Sequence, residues 1–268
     1  MTYERFASWY DQLMSDAPYD QWCALVERAV SSYQTGKRML DLGCGTGELA
    51  LRLAEKGFDV TGVDVSEQML AIAQMKAQER GVNLSFFQQD MRDFGPFEPF
   101  DTIVIFCDSL NYLLQEEDVV ATFSCVYDQL KSGGLFLFDV HSLFKMENVF
   151  LQHGTFASND DEVSYIWNCY PGSWPHSVEH ELTFFVRLDE GVYERVDEMH
   201  VQRTYDVDRY ATWLKQAGFR LLHMWADFTE QQPTNESERI FSLRKNNVPK
   251  VFAFGTFYLA GFFYSSRI

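Results

Sequence analysis

The stretch that most constrains this chain is Met39-Leu40-Asp41-Leu42-Gly43-Cys44-Gly45-Thr46-Gly47. A short apolar run stops at glycines on alternate positions, and a helix-like segment, Glu48 to Lys56, follows at once. A strand that feeds a helix through Gly-x-Gly-x-Gly brings bare backbone up to a ligand, because a Cβ would block that approach or forbid the turn. The next apolar run, Phe58 to Val63, carries an acid at its tip, Asp64.

Two uses of such a turn compete. Dinucleotide binders carry Gly-x-Gly-x-x-Gly and set a pyrophosphate on the helix N-terminus. Here the glycines are Gly43, Gly45 and Gly47, with Asp41 two residues before them. No pyrophosphate is implied, and an acid at Asp41 suits a ligand with an amino-acid end whose ammonium needs neutralising. A carboxylate at Asp64 can accept both hydroxyls of a ribose. Asp90 follows a third apolar run in Gln88-Gln89-Asp90-Met91. It can take an adenine amino hydrogen bond while the Met91 amide meets a ring nitrogen.

The alternation continues on both sides of the turn. Tyr3 to Met14 and Tyr19 to Ser32 read as helices separated by Pro18. Ser66 is an N-cap for a helix that ends at Gly81, with Met69, Ile72, Ala73 and Ala77 as its apolar stripe. Leu84 to Phe87, Thr102 to Phe106 and Leu135 to Val140 read as strands, and Asp118 to Leu130 as a helix. This β-α rhythm predicts an α/β fold with a parallel sheet covered by helices on both faces. It breaks after His141, where a helix is expected to run on to Leu151. Val178, His180, Leu182, Phe184, Val186 and Leu188 then alternate with polar residues, and Asp189-Glu190-Gly191 makes a hairpin turn. That predicts an antiparallel insertion of three or four strands, followed by a helix from Val207 to Ala217 and strands at Phe219–Phe228 and Glu238–Leu243. The organisation reads as an N-terminal helical cap (1–34), a ligand-binding core (35–150), the β insertion (151–205), a return to the core (206–246) and an apolar tail (247–268). The tail fits an edge strand, a dimer contact, an interfacial anchor or a segment from a shifted reading frame, and it is too short for a membrane span.

Composition narrows the function classes. The formal charge of −17 and the lack of any Lys/Arg cluster argue against a nucleic-acid partner. Five widely spaced cysteines without a Cys-x-x-Cys pair suit a reducing cytoplasm and argue against a zinc site. The N-terminus shows no apolar signal core.

On these residues the chain resembles the class I S-adenosylmethionine-dependent methyltransferases. The matching stretches are Leu40–Gly47, Val60–Leu70, Gln89-Asp90-Met91, Phe100-Asp101 and Leu130-Lys131-Ser132-Gly133-Gly134, in that order. Phe6–Met14, Pro18–Trp22, Cys107–Tyr112 and Phe138–Ser142 extend the resemblance to a bacterial small-molecule group of unassigned substrate. The resemblance implies a Rossmann-like methyltransferase fold, with a seven-stranded mixed sheet in the order 3-2-1-4-5-7-6 and strand 7 antiparallel. It implies S-adenosylmethionine as cofactor, held by Tyr10, Asp41, Gly43, Cys44, Gly45, Gly47, Asp64, Val65, Met69, Asp90, Met91 and Cys107. Tyr10 would lie over the sulfonium, where an aromatic face gains cation–π attraction.

The acceptor is harder to read. The loop Cys107-Asp108-Ser109-Leu110-Asn111-Tyr112 should face the sulfonium and lacks the Asn/Asp-Pro-Pro-Tyr of enzymes that methylate planar amines. Asp108, Asn111 and Tyr112 can hold an acceptor, or Asp108 and Asn111 can cap the next turn. His141, at the C-terminal end of the fifth strand, is the candidate base or else a solvent-exposed loop histidine. In the insertion His180 reads as a core histidine. Glu198 and His200 share a face that can reach the cleft, and Tyr165, Trp167 and Arg203 can shape an acceptor pocket; a cross-strand salt bridge or a sheet-dimer surface explains the same residues equally well. The function expected is methyl transfer to a small-molecule acceptor; a non-catalytic cofactor-binding sensor or scaffold is the alternative, and a homodimer is compatible with either.

Overall fold

The computed structural model describes residue 14, residues 17–189 and residues 191–246. Tyr10, the first expected helix and the apolar tail lie outside them. The core sheet is built from β1 (Arg38–Leu42), β2 (Asp59–Asp64), β3 (Ser85–Gln88), β4 (Phe100–Ile105), β5 (Leu130–His141), β10 (Phe219–Ala226) and β11 (Arg239–Asn246). A second sheet is built from β6 (Thr155–Ser158), β7 (Val163–Pro171), β8 (Ser177–Asp189) and β9 (Val192–Arg203). The core order is β10-β11-β5-β4-β1-β2-β3, which is the 3-2-1-4-5-7-6 order with the sixth and seventh core strands named β10 and β11. β11 runs antiparallel to β5 and β10, and the remaining pairs are parallel. The fold is thus the Rossmann-like methyltransferase fold with an antiparallel β insertion, and the insertion has four strands.

Apolar spacing sets the layers. Helix α1 (Tyr19–Tyr33) buries Trp22, Cys23, Leu25, Val26 and Ala29 along one stripe. They pack with α2 (Glu48–Glu55) and with Phe106, Trp225 and Phe241 from the sheet. On the opposite face α4 (Glu116–Gln129) and α5 (Val207–Gln216) cover an aromatic layer. Phe123 sits at its centre, with ring centroids 5.8 Å from Phe136 and 5.6 Å from Phe138. The central strands are apolar on both sides because both faces are covered.

Helix α3 (Glu67–Arg80) is capped as its sequence dictates: Ser66 Oγ accepts from the Met69 amide at 3.3 Å, and Gly81 closes it in the left-handed region. Its buried stripe is Leu70, Ala73 and Ala77; Ala73 and Ala77 are as expected, and Leu70 takes the place of Met69 and Ile72. Met69 instead turns toward the second sheet and packs with Tyr165, Leu182 and a cluster formed by Val163, Phe184, Val186 and Val196. The expected helix after His141 is a π-helical turn, Lys145–Phe150, continued by Leu151–His153. β5 begins at Leu130 rather than Leu135, because Leu130 already pairs with Phe100 across an irregularity in the ladder.

Phe123 is fully buried, so Phe123→Ala leaves a cavity that the rigid sheet cannot close. The expected cost is about 3–5 kcal/mol, read as a lower urea midpoint with an unchanged m-value.

Candidate active site

The glycine turn sits at the C-terminal ends of β1 and β2. Gly43, Gly45 and Gly47 all have positive φ (80°, 53° and 75°), a conformation costly for any side chain bearing a Cβ. A Cβ at Gly47 would lie 2.9 Å from the Ala73 Cβ, whereas one at Gly45 would meet no protein atom within 4 Å. Gly47 therefore serves close packing, and Gly45 leaves clear the face that lines a cavity of about 960 Å³.

At the foot of the turn Asp41 is 2% exposed. Its carboxylate accepts from the Ala50 amide, while Oδ2 has no partner among the described residues. Burial, and then the nearby Asp64, push its carboxyl up to about 7. Asp64, at the tip of β2, accepts from Gly45 N at 2.8 Å and Ser66 N at 2.9 Å. Those bonds fix the carboxylate at the cavity wall and leave further lone pairs for hydroxyls. Asp90 is held by Arg92, whose Nη2 lies 2.6 Å from Asp90 Oδ2. Cys44, Val65, Met69, Met91 and Cys107 line the same cavity. Burial raises the Cys44 and Cys107 thiols further, so neither is a ready thiolate. Among the described residues no His/Cys/Asp/Glu group is arranged to hold a metal.

The next wall is the end of β4, where the chain makes an unusual reversal. Cys107 and Asp108 are consecutive residues in the left-handed region (φ 56° and 54°), although neither is glycine, and such strain persists only where surrounding bonds hold it. Asp108 N donates to Asp139 Oδ1 at 3.0 Å. The Asp108 carboxylate takes Arg239 Nη2 at 3.0 Å and Gln202 Nε2 at 2.8 Å. Asp139, fully buried on β5, also receives Trp22 Nε1 at 2.7 Å and Arg239 Nη1 at 3.0 Å. The Arg239 guanidinium lies 5.4 Å from the Trp22 ring centroid. One arginine thus ties β11, β5, β4 and α1 together. Burial alone would push the Asp108 carboxyl up, yet His141, Arg239 and Gln202 hold it well below the ordinary carboxylate range. Asp108 is therefore an ionised, anchored group and not a proton acceptor.

His141, the last residue of β5, is buried rather than solvent-exposed (4%). Its Nε2 lies 3.4 Å from Asp108 Oδ2, which assigns the proton to Nε2. Its Nδ1 has no partner among the described residues. Burial first, against the opposing pull of Asp108, lowers its pKa and keeps the ring neutral. The backbone is clamped on both sides: His141 N donates to Asn111 Oδ1 at 2.9 Å, and Thr204 Oγ1 donates to its carbonyl. Asn111 accordingly does not hold an acceptor. It is fully buried and uses its amide as a strut, with Nδ2 donating to Arg203 O at 2.9 Å. Nor does it act as a cap. Arg203 also departs from the expected role; its guanidinium donates to the Leu114 and Pro175 carbonyls.

The second sheet closes the cavity with the inner face of β7, β8 and β9. Tyr165, Trp167, Leu182, Phe184, Glu198 and His200 line it. Tyr112 reaches it from the β4 side, its hydroxyl 3.4 Å from His200 Nδ1. His180 is a satisfied inner histidine at Nδ1, which accepts from Trp167 Nε1 at 3.0 Å. Trp22, Asp139, Gln202 and Arg239 carry the framework of the site, and no sequence reading assigned them a role. Their partners lie far away along the chain, so spacing gives no signal for them.

Comparison with known proteins agrees with this geometry. The methyltransferase domain family matches residues 39–134. A putative methyltransferase of Geobacillus sp. (strain WCH70) is 59% identical over 247 residues, 91% of this chain and 100% of that protein. One from Bacillus subtilis (strain 168) is 51% identical over 242 residues, 90% of this chain and 96% of its own length. The crystal structure of an S-adenosylmethionine-dependent methyltransferase from Clostridium acetobutylicum superposes with a TM-score of 0.83 at 31% identity, covering 92% of this chain and 100% of that one.

The state of Asp41 is testable without any ligand. A carboxyl at about 7 in the folded protein and near 3.9 when unfolded binds more protons folded than unfolded between those values. The stability it contributes is complete below about pH 4 and is lost as pH rises through 7. Asp41→Asn should make the fall in ligand-free stability between pH 5 and 8 shallower, by up to about 3 kcal/mol. Urea titrations of both proteins at several pH values check this.

Proposed function

The chain belongs to the S-adenosylmethionine-dependent methyltransferases, and from that premise we propose that it methylates a small-molecule acceptor enclosed between the Cys107–Tyr112 loop and the inserted sheet. One observation carries the reading. A single cavity is lined by the glycine turn with Asp41 at its foot, by the Asp108–His141 pair, and by the inner face of the insertion.

The residues present fit the cofactor. Asp41 would take the ammonium of its amino-acid end, Gly43 to Gly47 would give backbone passage, and Asp64 would accept the ribose hydroxyls. Met91 and Asp90 would meet the adenine, with Arg92 turning aside for Asp90 to do so. When bound, S-adenosylmethionine supplies an electrophilic methyl group on an excellent leaving group. Most of what the protein must add is orientation and exclusion of water. The aromatic inner face of the insertion does the latter.

A protonated acceptor must also lose a proton. We assign that role to His141, whose Nδ1 is buried without a partner among the described residues, with Asp108 stabilising the imidazolium formed through Nε2–H. Asp108 is then a positioning residue, and Tyr112 an acceptor contact backed by His200. The non-catalytic sensor reading gains no support from an anchored Asp108–His141 pair opening on the cofactor cavity.

Calorimetry and a labelled-methyl transfer assay on fractionated small molecules separate these roles. Asp64→Ala should weaken S-adenosylhomocysteine binding at least about tenfold, the loss of more than one charge-assisted hydrogen bond. His141→Gln should leave that affinity within about twofold and lower transfer by about 10²-fold or more. Binding without transfer to any fraction by the wild type would instead favour the sensor.

A further inference from the structure

The acceptor side of the cavity contains a carboxylate that the methyl-transfer chemistry does not use. Glu198 lies on the inner face of β9, lines the cavity and is only 9% exposed. No hydrogen bond or ion pair from the described residues reaches it, and burial is what raises its pKa. Directly across the ladder stands Leu182, and its neighbours along the face are Val196 and His200. On the acceptor side Asp108, and Asp139 behind it, are compensated by Arg239. Lys145 pairs with Glu238 at 3.3 Å.

Register fixes where Glu198 sits relative to the reaction centre. Gln202, four residues on along the same face, donates to Asp108, so that end of β9 abuts the Asp108–His141 pair. Phe184 and Val196, at the other end, pack in the cluster that meets Met69. At about 3.4 Å per residue, Glu198 is displaced roughly 13 Å along the strand from the Gln202 anchor. It is therefore the far end of an acceptor, not the reacting atom, that meets this carboxylate. Aromatic rings of Tyr165 and Phe184 line the cavity around that end.

Resting on the methyl-transfer reading above, we propose that Glu198 selects an acceptor with a flat apolar body and a protonated amine remote from the atom that is methylated. A buried acid without a partner is costly, and a cationic ligand group relieves that cost with a charge-assisted bond. The neighbouring aromatic faces favour the same charge. A carboxylate or phosphate at that position would meet an acid with no cation beside it. The cofactor's own ammonium belongs at Asp41, at the foot of the glycine turn.

Three probes share one phenol and differ at the distal group: tyramine (ammonium), tyrosol (hydroxyl) and 3-(4-hydroxyphenyl)propanoate (carboxylate). Each is titrated calorimetrically at pH 7.5 into protein saturated with S-adenosylhomocysteine. Tyramine should bind at least about tenfold more tightly than tyrosol, and the propanoate more weakly than either. Glu198→Gln should erase the tyramine advantage and leave S-adenosylhomocysteine affinity unchanged, which shows the variant folded. Equal binding of the three, no tyramine binding, or a preference that survives in Glu198→Gln would overturn the proposal. So would a variant that loses affinity for S-adenosylmethionine but not for S-adenosylhomocysteine, since Glu198 would then serve the sulfonium. Failure of the underlying methyltransferase reading shows separately, as absence of S-adenosylhomocysteine binding to the wild type.

Discussion

The geometry of this site depends on one buried guanidinium. Arg239, at the start of the antiparallel strand β11, neutralises Asp139 on β5 and Asp108 at the end of β4, both at 3.0 Å. Burial would by itself lower the Arg239 pKa, but the two carboxylates hold it protonated. A buried charge network of this kind is poor evidence for extra stability, since its desolvation offsets much of its attraction. Its value here is positional. It anchors two successive left-handed residues, Cys107 and Asp108, through the Asp108 carboxylate and through Asp139, which accepts from Asp108 N. Removing any one partner would leave a buried charge uncompensated and free the loop that forms one wall of the cavity.

From this anchor the two halves of the site follow in sequence. Asp108, pinned by Arg239, orients His141 and receives Gln202 from β9. The core sheet and the inserted sheet are thus joined by a hydrogen bond beside the Asp108–His141 pair. The insertion is fixed a second time at its other end, where Met69 of α3 packs with its apolar cluster. Between these contacts it spans the cavity and presents an aromatic face with one unpaired acid. The division of labour is physical. On the function proposed above, backbone and acids of the core would hold a cofactor of fixed chemistry, and the inserted strands would carry the side chains that discriminate acceptors.

What could be read from the sequence was what is local. Asp41 to Gly47 is contiguous, so the turn, its strand and its helix were legible, as were the Ser66 cap and the Gly81 stop. The parity of β9 put Glu198 and His200 on one face of the strand, and the structure turns that face to the cavity. The strand order was legible only through resemblance to a family, because adjacency in a sheet is not encoded in local periodicity. Arg239 was invisible: its partners Asp139 and Asp108 lie 100 and 131 residues away, and an arginine opening a strand reads as a solvated end. Asn111 misled for a related reason. A polar residue in a functional loop suggests ligand contact, but here its amide is consumed by Arg203 and His141. Met69 was assigned to the core stripe of its helix and turned out to serve the second sheet, which periodicity of one helix cannot foresee.

A crystal structure with S-adenosylhomocysteine tests the central claim most directly, since that claim is one of placement. The account expects the ribose at Asp64 and the amino group at Asp41. The sulfur should face the space between His141 and the inner face of β9, with the Arg239 bridge intact. A ligand whose amino-acid end lies away from Asp41, or whose sulfur is separated from His141 by protein, would contradict it.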